Sequence, residues 1–435
     1  MKVKKNTVKV ITLGCSKNLV DSEFLMAQLK SNNVELVEDE TKCESVIINT
    51  CGFIDTAKEE SINTILKAVE RKEKGKLKNI FVAGCLSDRY KSQLEKEIPE
   101  VSKYFGATDK HQTVIGILNE FGVDYKNELL GERLVTTPSH FAYIKISEGC
   151  DNPCSFCAIP IMRGVHKSKP LDEILIETQK LASRGVKELI IIGQDTTYWG
   201  FDLDGKRNLK KVLGELSEIN GIEWIRLMYA YPSRFPVDMI KEINENEKIC
   251  NYLDIPVQHV SDNVLKSMRR GITKKNQIAL LEKLRKEIPG IALRTSVMVG
   301  YPEETEKDFE ELLEFVKEFK FDRLGVFTYS IEEGTFAYDL KDRIPRKEKL
   351  LRQKLILEAQ KQVAEELNAS SVGKIFRVLI DRKENDYYIG RTYKDAPEVD
   401  QEVYVDSKKE LKIGKFYDIE IFDFEEFDLF GDVIK

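Results

Sequence analysis

Eight cysteines are spread along 435 residues, and six of them fall into two groups of three whose settings suit chemistry. The first group is Cys150-Asp151-Asn152-Pro153-Cys154-Ser155-Phe156-Cys157, with C-x3-C-x2-C spacing just after a strand-like run, Phe141 to Ile146. Three thiolates can hold three irons of a [4Fe–4S] cube and leave the fourth iron open to another ligand. A zinc site lacking its fourth ligand, or thiols packed in a core, would use the same residue types.

The second group is dispersed. Cys15 lies in Thr12-Leu13-Gly14-Cys15, Cys51 in Asn49-Thr50-Cys51-Gly52 and Cys85 in Ala83-Gly84-Cys85-Leu86. Each follows or ends a strand-like run, and the strand ends of a parallel sheet converge on one edge, so residues distant in sequence can meet there. The neighbouring Gly14, Gly52 and Gly84 allow tight turns around a bulky inorganic core. Any one of these cysteines could be a packing residue, but three in the same setting argue for a shared site. Cys43 and Cys250 lack such a setting and read as core or surface thiols.

The elements that must position these groups come in three stretches. Strand-like Val8–Leu13, helix-like Ser22–Lys30, strand-like Ser45–Asn49, helix-like Thr56–Glu70 and strand-like Asn79–Ala83 form an α/β alternation that builds an open parallel sheet. The polar stretch Glu132 to Ser139 separates it from a second series. There, Phe141–Ile146, Glu188–Ile192, Glu223–Met228, Tyr252–Ile255, Ala292–Val299 and Arg323–Thr328 alternate with helical patterns. Six βα units imply a complete or partly open (β/α) barrel with its chemistry at the carboxy-terminal strand ends. A charged helix with Leu351, Leu355 and Ala359 on one face follows Pro345, its many charges reading as a solvated surface. Short alternating strands from Ile375 to Ile434 then give a small β-barrel. The expected domains are an amino-terminal α/β domain at 1–133, a barrel at 134–367 and a terminal β-barrel at 368–435.

Composition bounds the function. The chain is 42% hydrophobic and 33% charged, with a net charge of -6, so no global basic field attracts nucleic acid. Met1 to Thr7 and the short apolar run after it lack the pattern of a signal peptide. No stretch reaches the roughly 20 apolar residues of a membrane span. A cytoplasmic protein is expected, whose cysteines serve metal or redox chemistry in place of disulfides.

Together the two triplets and the terminal β-module resemble the methylthiotransferase family of radical S-adenosylmethionine (SAM) enzymes over essentially the whole chain. The resemblance is carried by Thr12 to Glu23, Asn49 to Ile54, Gly84-Cys85-Leu86 with Arg89-Tyr90, the Cys150–Cys157 motif and Asp395 to Asp400, the last in a module similar to a TRAM domain. It implies two [4Fe–4S] clusters, one on Cys150, Cys154 and Cys157 and an auxiliary one on Cys15, Cys51 and Cys85, with SAM as cosubstrate. The first would split SAM to a 5′-deoxyadenosyl radical that abstracts hydrogen from an unactivated carbon; the second would hold the sulfur that this carbon takes up, and a further SAM would methylate it. An external electron donor and a sulfur source are implied as partners. Phe156 would pack on the SAM adenine, and Gln194, in Gly193-Gln194-Asp195 after a strand, would contact SAM. The strand-to-loop passages Tyr252–Gln258 and Arg294–Pro302 occupy comparable positions, with no individual roles assigned. Ser168-Lys169 departs from the usual Ser-Arg, and lysine lacks the planar fork of arginine. His259 reads as structural.

Within the family the likeness is closer to enzymes that modify the β-carbon of an aspartate in small-subunit ribosomal protein S-twelve than to those that modify an adenosine of transfer RNA. Charge agrees: from Ala369 to Lys435, eleven Lys and Arg stand against sixteen Asp and Glu, a formal charge of −5. An RNA grip needs the opposite sign, so direct nucleic-acid binding is not expected, although Tyr387, Tyr388, Tyr393 and Tyr404 are candidates for base stacking. The alternatives are a transfer-RNA adenosine methylthiotransferase and an iron–sulfur electron carrier. A carrier usually ligates its cluster with four cysteines.

Overall fold

The alternation of apolar runs resolves, in the computed structural model of residues 6–434, into two chain-contact units. Met1–Lys5, read above for a signal peptide, and Lys435 lie outside the described residues.

The first unit takes the chain up to Thr136, with Tyr143–Asp151 and Ala158–Lys180. Its strands β1 (Thr7–Thr12), β2 (Glu35–Leu36), β3 (Ser45–Thr50), β4 (Asn79–Gly84) and β5 (Lys103–Tyr104) form a parallel sheet in the order β2-β1-β3-β4-β5. Helices α1 (Ser16–Ser31), α2 (Asp55–Glu73), α3 (Cys85–Glu97) and α4 (Lys110–Glu120) connect and cover it. Every residue of β3 is buried, as in a central strand covered on both faces. Val46 and Ile48 pack with Ile65 and Ala68 of α2, while Ile47 packs with Leu25 and Leu29 of α1 and Ile117 of α4.

Helix α1 begins six residues before the expected Ser22. Lys17 and Asn18 are buried in its first turn and interrupt the apolar period. The polar stretch after Glu132 is also more than a separator. Arg133, buried, lies 3.1 Å from Glu177 and 3.7 Å from Glu23, and Glu23 accepts hydrogen bonds from the Thr136 amide and hydroxyl. Lys169, the departure from the family pattern, pairs with the same Glu177. Burial alone would raise the Glu177 carboxyl, but Lys169 and Arg133 pull it down to about 2.

Further elements are β6 (Phe141–Lys145), β7 (Ser147–Glu148), α5 (Ile159–Arg163), β8 (Lys167–Ser168) and α6 (Leu171–Ser183). The pair β7–β8 is antiparallel, with Glu148 opposite Lys167.

The second unit holds Thr137–Ala142, Asn152–Cys157 and the chain from Leu181 onward. Its strands β9 (Glu188–Ile192), β10 (Trp224–Leu227), β11 (Ile249–Asp254), β12 (Ala292–Val299) and β13 (Arg323–Thr328) join β6 in an open sheet ordered β13-β12-β11-β10-β9-β6. Helices α7 (Phe201–Asp204), α8 (Leu209–Ser217), α9 (Asp238–Glu245), α10 (Asp262–Ser267), α11 (Lys274–Glu287) and α12 (Glu306–Phe319) fall between these strands. The six expected units are therefore present and the barrel is partial.

Helix α13 (Arg346–Ala369) buries Ile356, Ala359 and Val363, whereas Leu351 is exposed. Its charges are not all solvated: Lys349 and Arg352 are buried, Arg352 reaching Glu304, Glu306 and Glu348. Strands β14 (Ile375–Glu384), β15 (Tyr387–Arg391), β16 (Val403–Asp406), β17 (Phe416–Glu425) and β18 (Asp428–Val433) close into a barrel, β14-β15-β16-β18-β17. Among the described residues no helix is long and apolar enough to cross a membrane.

The loop after β15 is fastened to the amino-terminal part of the open sheet by buried charges. Arg391 grips Asp381 at 2.6 and 2.9 Å and lies 2.8 Å from Glu188, the first residue of β9. Arg226 of β10 lies 2.7 Å from the same Glu188 and donates to the Tyr393 and Thr392 carbonyls. Asp400 accepts from the Tyr252 hydroxyl at 2.8 Å and from Arg294 at 3.2 Å, and Asp395 pairs with Arg323. Tyr252 and Arg294 therefore serve this junction and not the chemical end of the sheet.

Removing one member of such a network strands the others in low dielectric. We expect Arg391→Met to cost about 3–5 kcal/mol, read as a lower chemical-denaturation midpoint. In the first unit, the Glu177 carboxylate stabilises the fold fully above its ordinary value of 4.5, and that contribution fades as the pH falls toward about 2. Urea midpoints measured at pH 6 and pH 3.5 should differ less in Glu177→Gln than in the parent.

Candidate iron–sulfur centres

Cys15, Cys51 and Cys85 stand at the carboxy-terminal ends of β1, β3 and β4, which are adjacent in the sheet. Cys15 caps the start of α1, and Cys85 is the first residue of α3. A thiol at a helix amino terminus meets unpaired N–H groups that favour its thiolate. Amides tie the loops together: Asn18 donates to the Leu13 carbonyl at 2.8 Å and to the Thr50 carbonyl at 3.0 Å, and Asn49 donates to the Asn18 carbonyl at 3.0 Å. Ser61 of α2 clamps Cys51, accepting from its amide at 3.0 Å and donating to its carbonyl at 2.9 Å.

Backbone proximity is tight enough to demand glycine. At Gly14, φ is +86°, and a Cβ there would lie 2.6 Å from Cys51 Cβ and 2.8 Å from Cys51 Sγ. At Gly84, φ is +97°, and a Cβ would lie 2.4 Å from the Thr50 carbonyl oxygen. The three loops expected to meet do meet.

Charge is organised around this triad. Arg163, buried at the end of α5, donates from Nε to Cys85 Sγ at 3.2 Å and from Nη1 to Asp21 at 2.8 Å and Glu148 at 3.3 Å. Its Nη2 donates to Asn18. Lys145 pairs with both Asp21 and Glu148, and Lys110 lies 3.9 Å from Asp21. Burial opposes ionisation of Asp21 and Glu148, but Lys145 and then Arg163 hold both carboxyls below their usual range. Lys110 is lowered by burial to about 8 and stays charged at neutral pH. Three cations thus face two carboxylates, leaving positive charge beside Cys85.

The thiols respond unequally. Crowding opposes ionisation of Cys15, but Lys17, the Asn18 amide and Arg163 outweigh it and lower its pKa; solvent reaches this residue. Burial pushes Cys51 up to about 11, helped by Cys15 and Cys85, and also raises Cys85 against the pull of Arg163. Asp21 and Glu148 meet the Arg163 guanidinium through Nη1, while its Nε–H is left against a thiol, a weak acceptor. Iron would convert that thiol to a thiolate, so the donor set and its surroundings fit a cluster. Among the described residues no three His, Cys, Asp or Glu side chains converge as a single ion requires; the ligands of a cube bind separate irons and need not converge so closely.

The C-x3-C-x2-C loop is held from several directions. Cys150, buried, donates its amide to the Gly164 carbonyl at 3.1 Å within the first unit. In the second unit, the Ser155 amide donates to the Met268 carbonyl at 3.0 Å, its hydroxyl lies 2.9 Å from the Tyr301 hydroxyl, and its carbonyl accepts from Ala337 at 2.7 Å. Arg270, also buried, donates from Nη1 to Cys154 Sγ at 3.3 Å and from Nη2 to the Pro256 carbonyl, and packs over the Tyr231 ring. The Tyr231 hydroxyl lies 3.4 Å from Cys154 Sγ. Like Arg163, Arg270 is a buried cation that donates to a cysteine sulfur.

Phe156 is half-buried against a cluster of Val264, Met268, Tyr301, Tyr329 and Ala337. Gln194 is half-buried in the loop after β9. Its neighbour Asp195 accepts from Asn152 of the cysteine loop at 2.8 Å and caps the following turn through the Thr197 amide and hydroxyl. His259 is fully buried, accepting from the Ser261 amide at 3.1 Å, a structural role. Cys43 and Cys250 are buried outside both groups, burial raising the latter to about 12. Sequence reasoning missed Arg163, Asn18, Arg270 and Tyr231. Proximity of Arg163-Gly164 to the cysteine motif was the only available signal for the first.

Comparison with known proteins places the chain among families of known description. Residues 7–106 match the Uncharacterized protein family UPF0004, 144–316 the Radical SAM superfamily and 372–434 the TRAM domain. The superfamily match implies SAM and one [4Fe–4S] cluster. A solved radical SAM methyltransferase from Kitasatospora setae, TsrM, is 14% identical with a TM-score of 0.54, covering 75% of each chain, a likeness of fold. "Ribosomal protein uS12 methylthiotransferase RimO" of Christiangramia forsetii is 54% identical over 100% of this chain and 95% of that protein. The protein of the same name from Flavobacterium johnsoniae is 53% identical over 99% and 98%. With identity of this order along its whole length, the chain belongs to the RimO family of radical SAM methylthiotransferases.

Proposed function

We propose that the enzyme inserts a methylthio group at the β-carbon of an aspartate in ribosomal protein uS12, using two [4Fe–4S] clusters, one on Cys150, Cys154 and Cys157 and an auxiliary one on Cys15, Cys51 and Cys85. The observation that carries the two-cluster reading is the repeated motif of a buried arginine donating to one sulfur of each triad, Arg163 to Cys85 and Arg270 to Cys154. When bound, the clusters and SAM supply radical generation at one triad and sulfur at the other. The chain's own residues bind, orient and neutralise. Arg270 and Tyr231 hold Cys154, Asp195 steadies the loop through Asn152, and Phe156 and Gln194 are the side chains we assign to SAM. Functionally the chain reads as domains 1–133, 134–367 and 368–435, acting in the cytoplasm with an external electron donor and a sulfur source.

The terminal barrel supports a protein substrate. On its outer face Tyr404 and Phe430 stack with centroids 5.2 Å apart, and Tyr387 meets Tyr404 edge-on at 5.9 Å. Burial, then Asp428, Glu402 and Glu384, raise the Tyr404 hydroxyl, which places three carboxylates around the aromatic group. Arg382 is already held by Glu384 and Glu402, contacts that show how a guanidinium sits there. An aromatic surface edged by carboxylates suits lysine and arginine side chains of a basic protein and repels phosphates.

Anaerobic reconstitution followed by reaction with SAM, dithionite and uS12, read by intact mass, is expected to show a gain of one methylthio group. The gain should vanish in Cys150→Ala and, separately, in Cys51→Ala. Modification of transfer RNA with uS12 untouched would refute the substrate assignment. Charge reversal by Glu384→Lys with Glu402→Lys should raise KM for uS12 by roughly tenfold at low salt, less at high salt.

A further inference from the structure

The buried charges around Cys85 extend beyond holding loops in place. Arg163 is 3% exposed, and its guanidinium divides its donors between a sulfur and two carboxylates. The Nε–H points at Cys85 Sγ, Nη1 bridges Asp21 and Glu148, and Nη2 reaches Asn18. Glu148 comes from β7 and is set in position by pairing with Lys167 of β8. Asp21 comes from the second turn of α1, whose first residue follows Cys15. The same guanidinium is thus a hydrogen-bond donor to one cluster ligand and the centre of an ion network whose other members lie one contact further out.

Hydrogen bonds to ligand sulfurs and nearby net charge are the protein's main means of setting the potential of an iron–sulfur cluster. An N–H donor withdraws electron density from sulfur and favours the reduced, more negative cluster. A carboxylate nearby opposes that. Arg163 and Glu148 therefore act on the cluster with opposite sign although they are bonded to each other.

We infer that Arg163 is the positioning residue that sets the reduction potential of the auxiliary cluster, through its Nε–H···Sγ contact with Cys85, and that Glu148 and Asp21 moderate its charge. The inference rests on the proposed assignment of that cluster to Cys15, Cys51 and Cys85. The step concerned is a one-electron reduction of the cluster by an external low-potential donor such as dithionite, with no bond made or broken.

The test uses the full-length chain with Cys150, Cys154 and Cys157 replaced by alanine, so that only one cluster can load. Iron and sulfide content is measured first, and the midpoint is then followed by redox titration monitored by electron paramagnetic resonance. Arg163→Gln is expected to make reduction at least tenfold less favourable, a shift of about 59 mV to more negative potential for one electron. Arg163→Lys, which retains charge but loses the fork, should fall between it and the parent. Glu148→Gln should shift the midpoint the other way. Opposite signs for Arg163→Gln and Glu148→Gln are a result that a purely structural role of the network does not produce. If Arg163→Gln fails to load, Arg163→Lys and Glu148→Gln still decide the question by their signs. Equal midpoints in loaded variants, or shifts of the same sign, overturn the inference. Absence of iron in the parent chain of the test overturns the cluster assignment itself, and the inference with it.

Discussion

A guanidinium buried against a cysteine sulfur is a demanding arrangement, and this chain makes it twice. Burying a cation without an anion costs several kcal/mol even after relaxation, and a neutral thiol is a weak acceptor. Arg270 meets Cys154, Pro256 and a tyrosine ring, none of them a carboxylate. Arg163 does have carboxylates, but Lys145 and Lys110 compete for the same pair. On the proposed cluster assignment, iron-bound thiolates would place negative charge beside each of the two guanidinium groups. The close loop packing around Gly14 and Gly84, the amide links through Asn18 and the clamp from Ser61 all act to keep such an arrangement from relaxing.

The open sheet of the second unit separates stability from chemistry along the strand direction. Its amino-terminal part carries Glu188, Arg226, Tyr252, Arg294 and Arg323, all engaged by the loop Arg391–Asp400 of the terminal barrel. The segment past the end of β9 carries Gln194 and Asp195, and Asp195 reaches the cysteine loop through Asn152. Parallel sheets place reactive groups at carboxy-terminal strand ends because loops there are free to vary over a fixed scaffold. Filling the other part with paired charges, in place of an apolar plug, makes the attachment directional: each arginine fork donates to its carboxylate in one geometry.

Much of this was legible in the sequence because the signals were local. C-x3-C-x2-C is contiguous, and Gly-Cys or Cys-Gly at a strand end carries its meaning within four residues. The position of the third triad member, Cys85, required only the reading of β4 as a strand. What was not legible depends on distant partners. Lys17 and Asn18 disguised the first turn of α1, since polar residues buried at a site look like a loop to a hydrophobic period. Arg133 looked like linker because Glu23 and Glu177 lie 110 and 44 residues away in the chain. The apolar face of α13 was misplaced because Arg352 occupies a buried position with Glu304 as its partner. The passages Tyr252–Gln258 and Arg294–Pro302 gave no individual roles, and no local signal showed that Asp400 would engage Tyr252 and Arg294.

The terminal barrel shows how charge can redirect a common module. Its interior, Val378, Ile380, Tyr388, Val403, Val405, Ile419 and Ile421, needs only alternation of apolar residues, so its outer positions are free to differ. Here a stacked aromatic group lies beside Glu384, Glu402 and Asp428, in a segment whose formal charge from Ala369 onward is −5. Such a field acts over about a Debye length, roughly 8 Å at physiological salt, well before any side chain is in contact. A protein that binds RNA within a ribosomal subunit must itself be basic, so on the proposed function this field would speed its encounter and slow that of a free nucleic acid. On the proposed function, this surface would favour the protein over RNA at the stage of encounter. Placement of the target carbon would then set the outcome, because a radical that abstracts hydrogen from unactivated carbon is selective only through what is placed before it.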